Sequence, residues 1–141
     1  MALILDAGPL YASLDRRDRA HRACRKLIEE ATEPLVIPSP VFPEVDYLAS
    51  ERLGPGAMIA LLADIGTGAY RVEDLLAEDY SRVTDLMDRY ADLDLGFVDA
   101  AVVAIAERLG EPKIATLDRR HFTVVRPRHV EAFELLPASA G

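Results

Sequence analysis

The hydrophobic pattern opens with Ala2 to Leu5, apolar at every position, which ends in Asp6 and then turns at Ala7-Gly8-Pro9. A run without polar alternation suits a strand covered on both faces, as in the centre of a parallel sheet. Leu35 to Ile37 after Pro34 and Lys113 to Leu117 repeat this device, and Tyr70 to Val72 reads as a strand at a sheet edge. Thr123 to Val125 before Pro127 predicts a last core strand, and Phe133 to Leu136 a further short extended piece. Between these runs the apolar residues recur at helical spacing. A short piece, Leu10 to Leu14, precedes a helix capped by Asp18 that runs to about Ala31, with Ala20, Ala23, Leu27 and Ile28 on one face. Ser39 starts a helix through Val41, Val45, Leu48 and Ala49, with Pro40 and Pro43 at its entry, where backbone N–H groups lack helical partners anyway. Ala57 to Ile65 directs Met58, Leu61, Leu62 and Ile65 to the core, and Ala77 to about Ala91 directs Tyr80, Val83, Leu86, Met87 and Tyr90 there. Phe97 to Ala106, closed by Gly110, is apolar nearly all round and therefore a buried helix. Strands separated by helices imply right-handed crossovers and a central parallel sheet, an α/β/α sandwich of three layers.

Composition narrows this picture. With 141 residues, half of them hydrophobic, the chain suits a single domain, expected over residues 1–137 with a frayed small-residue tail at 138–141. The net charge of -8 argues against nonspecific coating of nucleic acid. Against that background Arg16, Arg17, Arg19, Arg22, Arg25 and Lys26 form the densest basic cluster, either a solvated face or a contact surface for RNA. Glu73, Asp74, Glu78, Asp79, Asp85 and Asp88 read as a solvated outer face. The lone cysteine, Cys24, excludes an internal disulfide and a cysteine zinc site, fits a reducing compartment and is expected to pack between helices. No segment approaches the roughly 20 apolar residues of a membrane span, so a soluble cytoplasmic protein is expected.

The chemistry is carried by acids. In a parallel sheet all strand carboxyl ends share one edge, and ligands bind in the crevice beyond it. Asp6 and Asp118 leave strands at that edge, Glu44 opens the helix after the second strand, and Asp99 is the only charged residue of the buried helix before Glu107. Each has a plain structural alternative: Asp6 as a helix cap, Glu44 and Asp99 as first-turn acids favoured by the helix dipole. Together they are harder to explain structurally. Two carboxylates about 4 Å apart repel by roughly 4 kcal/mol at an effective dielectric near 20, so four in one crevice call for a cation. Hard oxygen ligands select magnesium or manganese, and His21, His121 and His129 are too scattered along the chain for a zinc motif. The reaction that suits such a site is displacement at phosphorus, with metal-activated water as the nucleophile.

The ordered motifs Leu-Asp6-Ala-Gly-Pro-Leu, Pro-Glu44-Val, Gly-Phe-Val-Asp99-Ala-Ala-Val-Val-Ala and Ala-Thr116-Leu-Asp118-Arg-Arg-His-Phe resemble those of the PIN domain nucleases. The resemblance is strongest to the toxins of VapBC-type toxin-antitoxin pairs. It implies a magnesium- or manganese-dependent endoribonuclease, a homodimer, and a cognate VapB-type antitoxin that covers the active site. Carried over by position, Asp6, Glu44, Asp99 and Asp118 match the catalytic, metal-binding quartet, and Thr116 the small hydroxyl residue before the last acid. Arg119 and Arg120 beside Asp118 join Arg16, Arg17, Arg19 and Arg22 as expected RNA contacts. Pro43 before Glu44 departs from the common pattern, and Asp94 adds an acid able to support the site from behind. A haloacid-dehalogenase-type phosphatase requires a second Asp where Gly8 stands, and a receiver-like domain requires paired acids after the first strand. The alternative that remains is a PIN-like binding module without catalysis.

Overall fold

A computed structural model describes residues 1–138. Its core is a five-stranded sheet of order β3-β2-β1-β4-β5, with every neighbouring pair parallel. The strands are β1 (Leu3–Leu5), β2 (Leu35–Pro38), β3 (Arg71–Glu73), β4 (Lys113–Ala115) and β5 (Glu134–Leu136). β1 is central because its three residues are apolar and fully enclosed. It pairs Leu3 with Leu35 on one side and with Lys113 on the other. Burying such a side chain contributes about 2 kcal/mol, which makes the strand a strong organiser of the sheet. From β1 the chain winds outward through β2 to β3, then returns across the sheet to β4 and β5. The order therefore reverses between β1 and β4, and that reversal opens a crevice at their carboxyl ends.

The helices are α1 (Ala7–Leu14), α2 (His21–Glu30), α3 (Phe42–Leu53), α4 (Pro55–Gly66), α5 (Ala77–Arg89), α6 (Phe97–Leu109) and α7 (Arg119–Val124). They cover the sheet as the sequence predicts, giving the three-layer α/β/α sandwich. α6 buries every residue from Ala100 to Ala106. Gly110, at φ 70°, ends it in the left-handed conformation and returns its N–H to Ala106 and Glu107. Cys24 is buried with Ala12 and Ala20 where α1 meets α2, as expected. Among the described residues no helix is long and apolar enough to cross a membrane. The expected tail lies outside the described residues from position 139 onward.

Three expectations are corrected. Thr123 and Val124 belong to helix α7, and the place beside β4 is taken by β5, with Ile114 opposite Leu135. Asp118 caps α7 by accepting from the His121 N–H, while Phe122 turns inward onto the edge of Phe133. Local capping and one buried aromatic thus override the β-branched preference of Thr-Val-Val. Asp18 accepts from the Ala20 N–H in the turn before α2 and is not that helix's N-cap. Leu62, Tyr80 and Met87 are exposed, not inward.

The acids of the α5 region are also not all solvated. Arg82 of α5 grips Glu107 of α6 through two nitrogens at 2.7 and 2.8 Å and reaches Asp85 at 2.6 Å. Arg108 holds buried Asp79 at 3.0 Å and Glu73 at 3.4 Å. Asp79 in turn accepts the Leu76 N–H at the start of α5. These pairs clamp α5 to α6 from the side. Asp74, Glu78 and Asp88 remain exposed, as the sequence suggested.

Candidate active site

The strand reversal between β1 and β4 brings the expected acids together. One crevice of about 290 Å³ is lined by Asp6, Gly8, Glu44, Asp99, Leu117 and Asp118. Asp6 arrives on the end of β1, where its N–H donates to Ala115 of β4 at 2.9 Å. Its side chain is fully engaged: one oxygen accepts the Ala7 N–H at 2.9 Å, and the other accepts the Thr116 hydroxyl at 2.8 Å. Asp6 is therefore both a cap for α1 and a crevice wall. Thr116, completely buried, also accepts the Asp118 N–H at 3.0 Å and so ties two acids from separate strand ends into one unit.

Burial raises the Asp6 pKa to about 6, with the Ala7 and Thr116 hydrogen bonds opposing and the charges of Asp99 and Glu44 reinforcing the shift. Asp99, in the first turn of α6, is half-buried. Its pKa is raised first by desolvation and then by Asp118 and Glu44, with His121 acting against them. Both carboxyls thus resist ionisation first because burial penalises the charged form and then because the crevice gathers negative charge. Glu44 is exposed, in the first turn of α3, with Pro43 beside it accommodated at the helix entry.

His121 is the residue the sequence reading missed. Its Nδ1 lies 2.6 Å from Asp118 and 3.6 Å from Asp99, and its Nε2 lies 2.9 Å from the Leu93 carbonyl. The hydrogen bond to Asp118 raises the imidazole pKa, against the opposing effect of burial. Ligand atoms of Asp99, Asp118 and His121 all lie within 4.8 Å of one another. Asp6 and Glu44 line the same crevice but stand outside that tighter group. This donor set, mostly carboxylate oxygen, fits a divalent cation with hard-ligand preferences. The signal for His121 was its position three residues after Asp118, which places it in the same first helical turn once α7 is recognised as a helix.

The other expected residues are dispersed. Asp94 is exposed at a left-handed turn, φ 54°, and does not line the crevice. Arg16, Arg17, Arg19 and Arg22 are exposed around the turn from α1 to α2, at the far end of α1 from Asp6. Arg119 is exposed beside Asp118, but its guanidinium donates to the carbonyls of Leu135 and Pro137. Arg120 is exposed.

A doubly wound sheet with acids gathered at its switch point defines the class, and residues 3–126 match the PIN domain. This chain belongs to the PIN domain family. Within it, the chain is 33% identical over 135 residues to ribonuclease VapC26 of Mycobacterium tuberculosis, covering 96% of this chain and all of that protein, and so is a VapC-type member. The fold is similar to that of Mycobacterium tuberculosis VapC20, a sarcin-ricin loop cleaving toxin. There the TM-score is 0.73 at 21% identity, over 79% of this chain and 86% of that one. It is also similar to a chain of Rickettsia felis VapBC2 bound to a promoter DNA fragment. In that case the TM-score is 0.68 at 16% identity, over 96% of this chain and 98% of that one.

Proposed function

We propose that this protein is a divalent-cation-dependent endoribonuclease that serves as the toxin of a type II toxin-antitoxin pair in the cytoplasm. A single catalytic domain over residues 1–137 is part of this reading. The observation that carries it is the shared crevice of Asp6, Glu44, Asp99 and Asp118 in a VapC-type chain. Asp99 and Asp118, whose ligand atoms lie within 4.8 Å of each other, are the acids to hold magnesium or manganese, with Asp6 and Glu44 completing the negative wall. When bound, the cation supplies water activation and neutralises the charge that develops on the leaving oxygen. Thr116 orients the Asp6 carboxylate through its hydroxyl and anchors the backbone of Asp118, whose own carboxylate is held by His121. Attack forms one phosphorus–oxygen bond to water and breaks one in the RNA backbone; the water gives up a proton to solvent, and the leaving oxygen takes one from solvent. Arg16, Arg17, Arg19, Arg22, Arg119 and Arg120 are assigned to the RNA phosphates, which an acidic protein must otherwise repel.

A module released from catalysis has no physical reason to retain four mutually repelling acids, which favours the enzyme over the binding module. The same acidity suits an antitoxin that inserts an arginine into the crevice. A VapB-type partner with a basic, amphipathic C-terminal segment, encoded directly upstream, and a homodimeric toxin belong to this reading. The test is RNA cleavage in magnesium or manganese, with RNA ends mapped after brief expression. Chelator should abolish cleavage, and Asp99→Asn should lower it by about a hundredfold or more. Cleavage that persists in excess chelator, or at parental rate in Asp99→Asn, refutes the proposal.

A further inference from the structure

His121 stands apart from the acids that carry the proposed reaction, yet its ring is held through both nitrogens beside the crevice. Nε2 is 2.9 Å from the Leu93 carbonyl oxygen, which can only accept, so Nε2 carries the proton of that hydrogen bond. In a neutral imidazole the other nitrogen then presents a lone pair. That nitrogen, Nδ1, faces Asp118 at 2.6 Å and Asp99 at 3.6 Å. Without a cation Nδ1–H donates to Asp118 across that 2.6 Å; a bound metal ion would displace this proton and take its place between the imidazole and the two carboxylates, whose ligand atoms all lie within 4.8 Å of one another. Histidines that bind metal characteristically donate their second nitrogen to a carbonyl or carboxylate, which fixes both tautomer and ring orientation. Leu93 performs that task here. It ends the short turn Ala91–Leu93, which leads through Asp94 into the helix bearing Asp99. One turn therefore orients the imidazole and feeds the neighbouring acid into place.

We propose that His121 Nδ1 is a nitrogen ligand of the cation held by Asp99 and Asp118, and that it biases this site toward manganese and other transition ions over magnesium. Imidazole nitrogen suits transition metals, whereas magnesium is best satisfied by oxygen and retained water. The inference rests on reading the crevice as a cation site, and the experiment separates the two. Manganese chloride is added to the purified protein, and pulsed electron paramagnetic resonance detects nitrogen bonded to the ion. Calorimetric titrations with manganese chloride and magnesium chloride are run on the parent, His121→Gln and Asp99→Asn proteins. The parent should show directly bonded nitrogen, absent in His121→Gln. That variant should bind manganese about tenfold or more weakly, and magnesium within about twofold of the parent. Manganese that binds the parent without nitrogen coupling overturns the inference but leaves the cation site intact. Equal losses for both ions would also overturn it, leaving His121 as a positioning residue for Asp118. A parent that binds neither ion, or an Asp99→Asn protein that binds both as tightly, overturns the cation-site reading itself. The parent spectrum alone decides the nitrogen question should His121→Gln fail to fold.

Discussion

Asp6 is the residue at which folding and function pull in opposite directions. Unfolded, it loses its proton near 3.8; folded, it holds it to about 6. Between those values the native state binds the extra proton, so the stability of the cation-free protein falls as pH rises through that window, by roughly 3 kcal/mol in total. His121, whose pKa is raised, adds stability that is likewise lost as pH rises past its folded value. Thermal melts in chelator should therefore show a lower melting temperature at pH 7 than at pH 5, and Asp6→Asn should remove most of the Asp6 part. An unchanged slope in the variant would mean the buried carboxyl does not carry the effect. Asp99→Asn tests the same repulsion from the other side, because Asp99 gains no buried side-chain partner comparable to Thr116. Its cation-free form should melt above the parent, and added magnesium or manganese should raise its melting temperature by less. A lower melting temperature would make Asp99 a structural acid.

At the scale of elements, the α5–α6 clamp gives the clearest contrast. Arg82 is buried against Glu107, and truncating it to Ala strands a carboxylate, at a cost of about 3 kcal/mol or more in denaturant unfolding. Arg25→Ala, which breaks an exposed pair with Glu29, should cost less than about 1 kcal/mol. Comparable losses in the two would show that the clamp is solvated. The clamp was illegible in the sequence because an acid reads the same whether it meets water or an arginine from another helix. The sheet was legible where strands are buried on both faces, as in Leu3 to Leu5, since an unbroken apolar run has few other uses. Asp6, Glu44 and Asp118 were legible as crevice residues for a related reason: strand ends and the helix starts that follow strands share an edge whatever the loops do. Asp99, whose helix follows another helix, was legible as the lone acid at the start of a buried helix. Thr123 to Val125 was misread because its β-branched residues carry no trace of the distant Glu134 to Leu136 that occupies the place beside β4. That misreading also hid His121, whose proximity to Asp118 depends on the helical turn.

Across the whole molecule, charge is segregated. A net charge of -8 surrounds an arginine-rich turn that is itself ordered. Tyr11 donates to Asp15, Asp15 accepts the Arg17 N–H at 2.9 Å, and the Arg52 guanidinium lies 5.4 Å over the Tyr11 ring. This turn lies one helix of eight residues, about 12 Å, from Asp6, so RNA that touches both must run along the surface of α1. Replacing Arg16 and Arg19 by Glu should weaken RNA binding and reduce the dependence of affinity on salt concentration by about one to two phosphate contacts. An unaltered salt slope would return the cluster to a solvated face. The hydroxyl link between Thr116 and Asp6 spans 110 positions of sequence, and the crevice closes only when the fourth strand has docked against the first. During synthesis Asp6 emerges 110 residues ahead of Thr116 and can meet Asp118 only after both have left the ribosome. No closed crevice therefore exists until translation has passed Asp118.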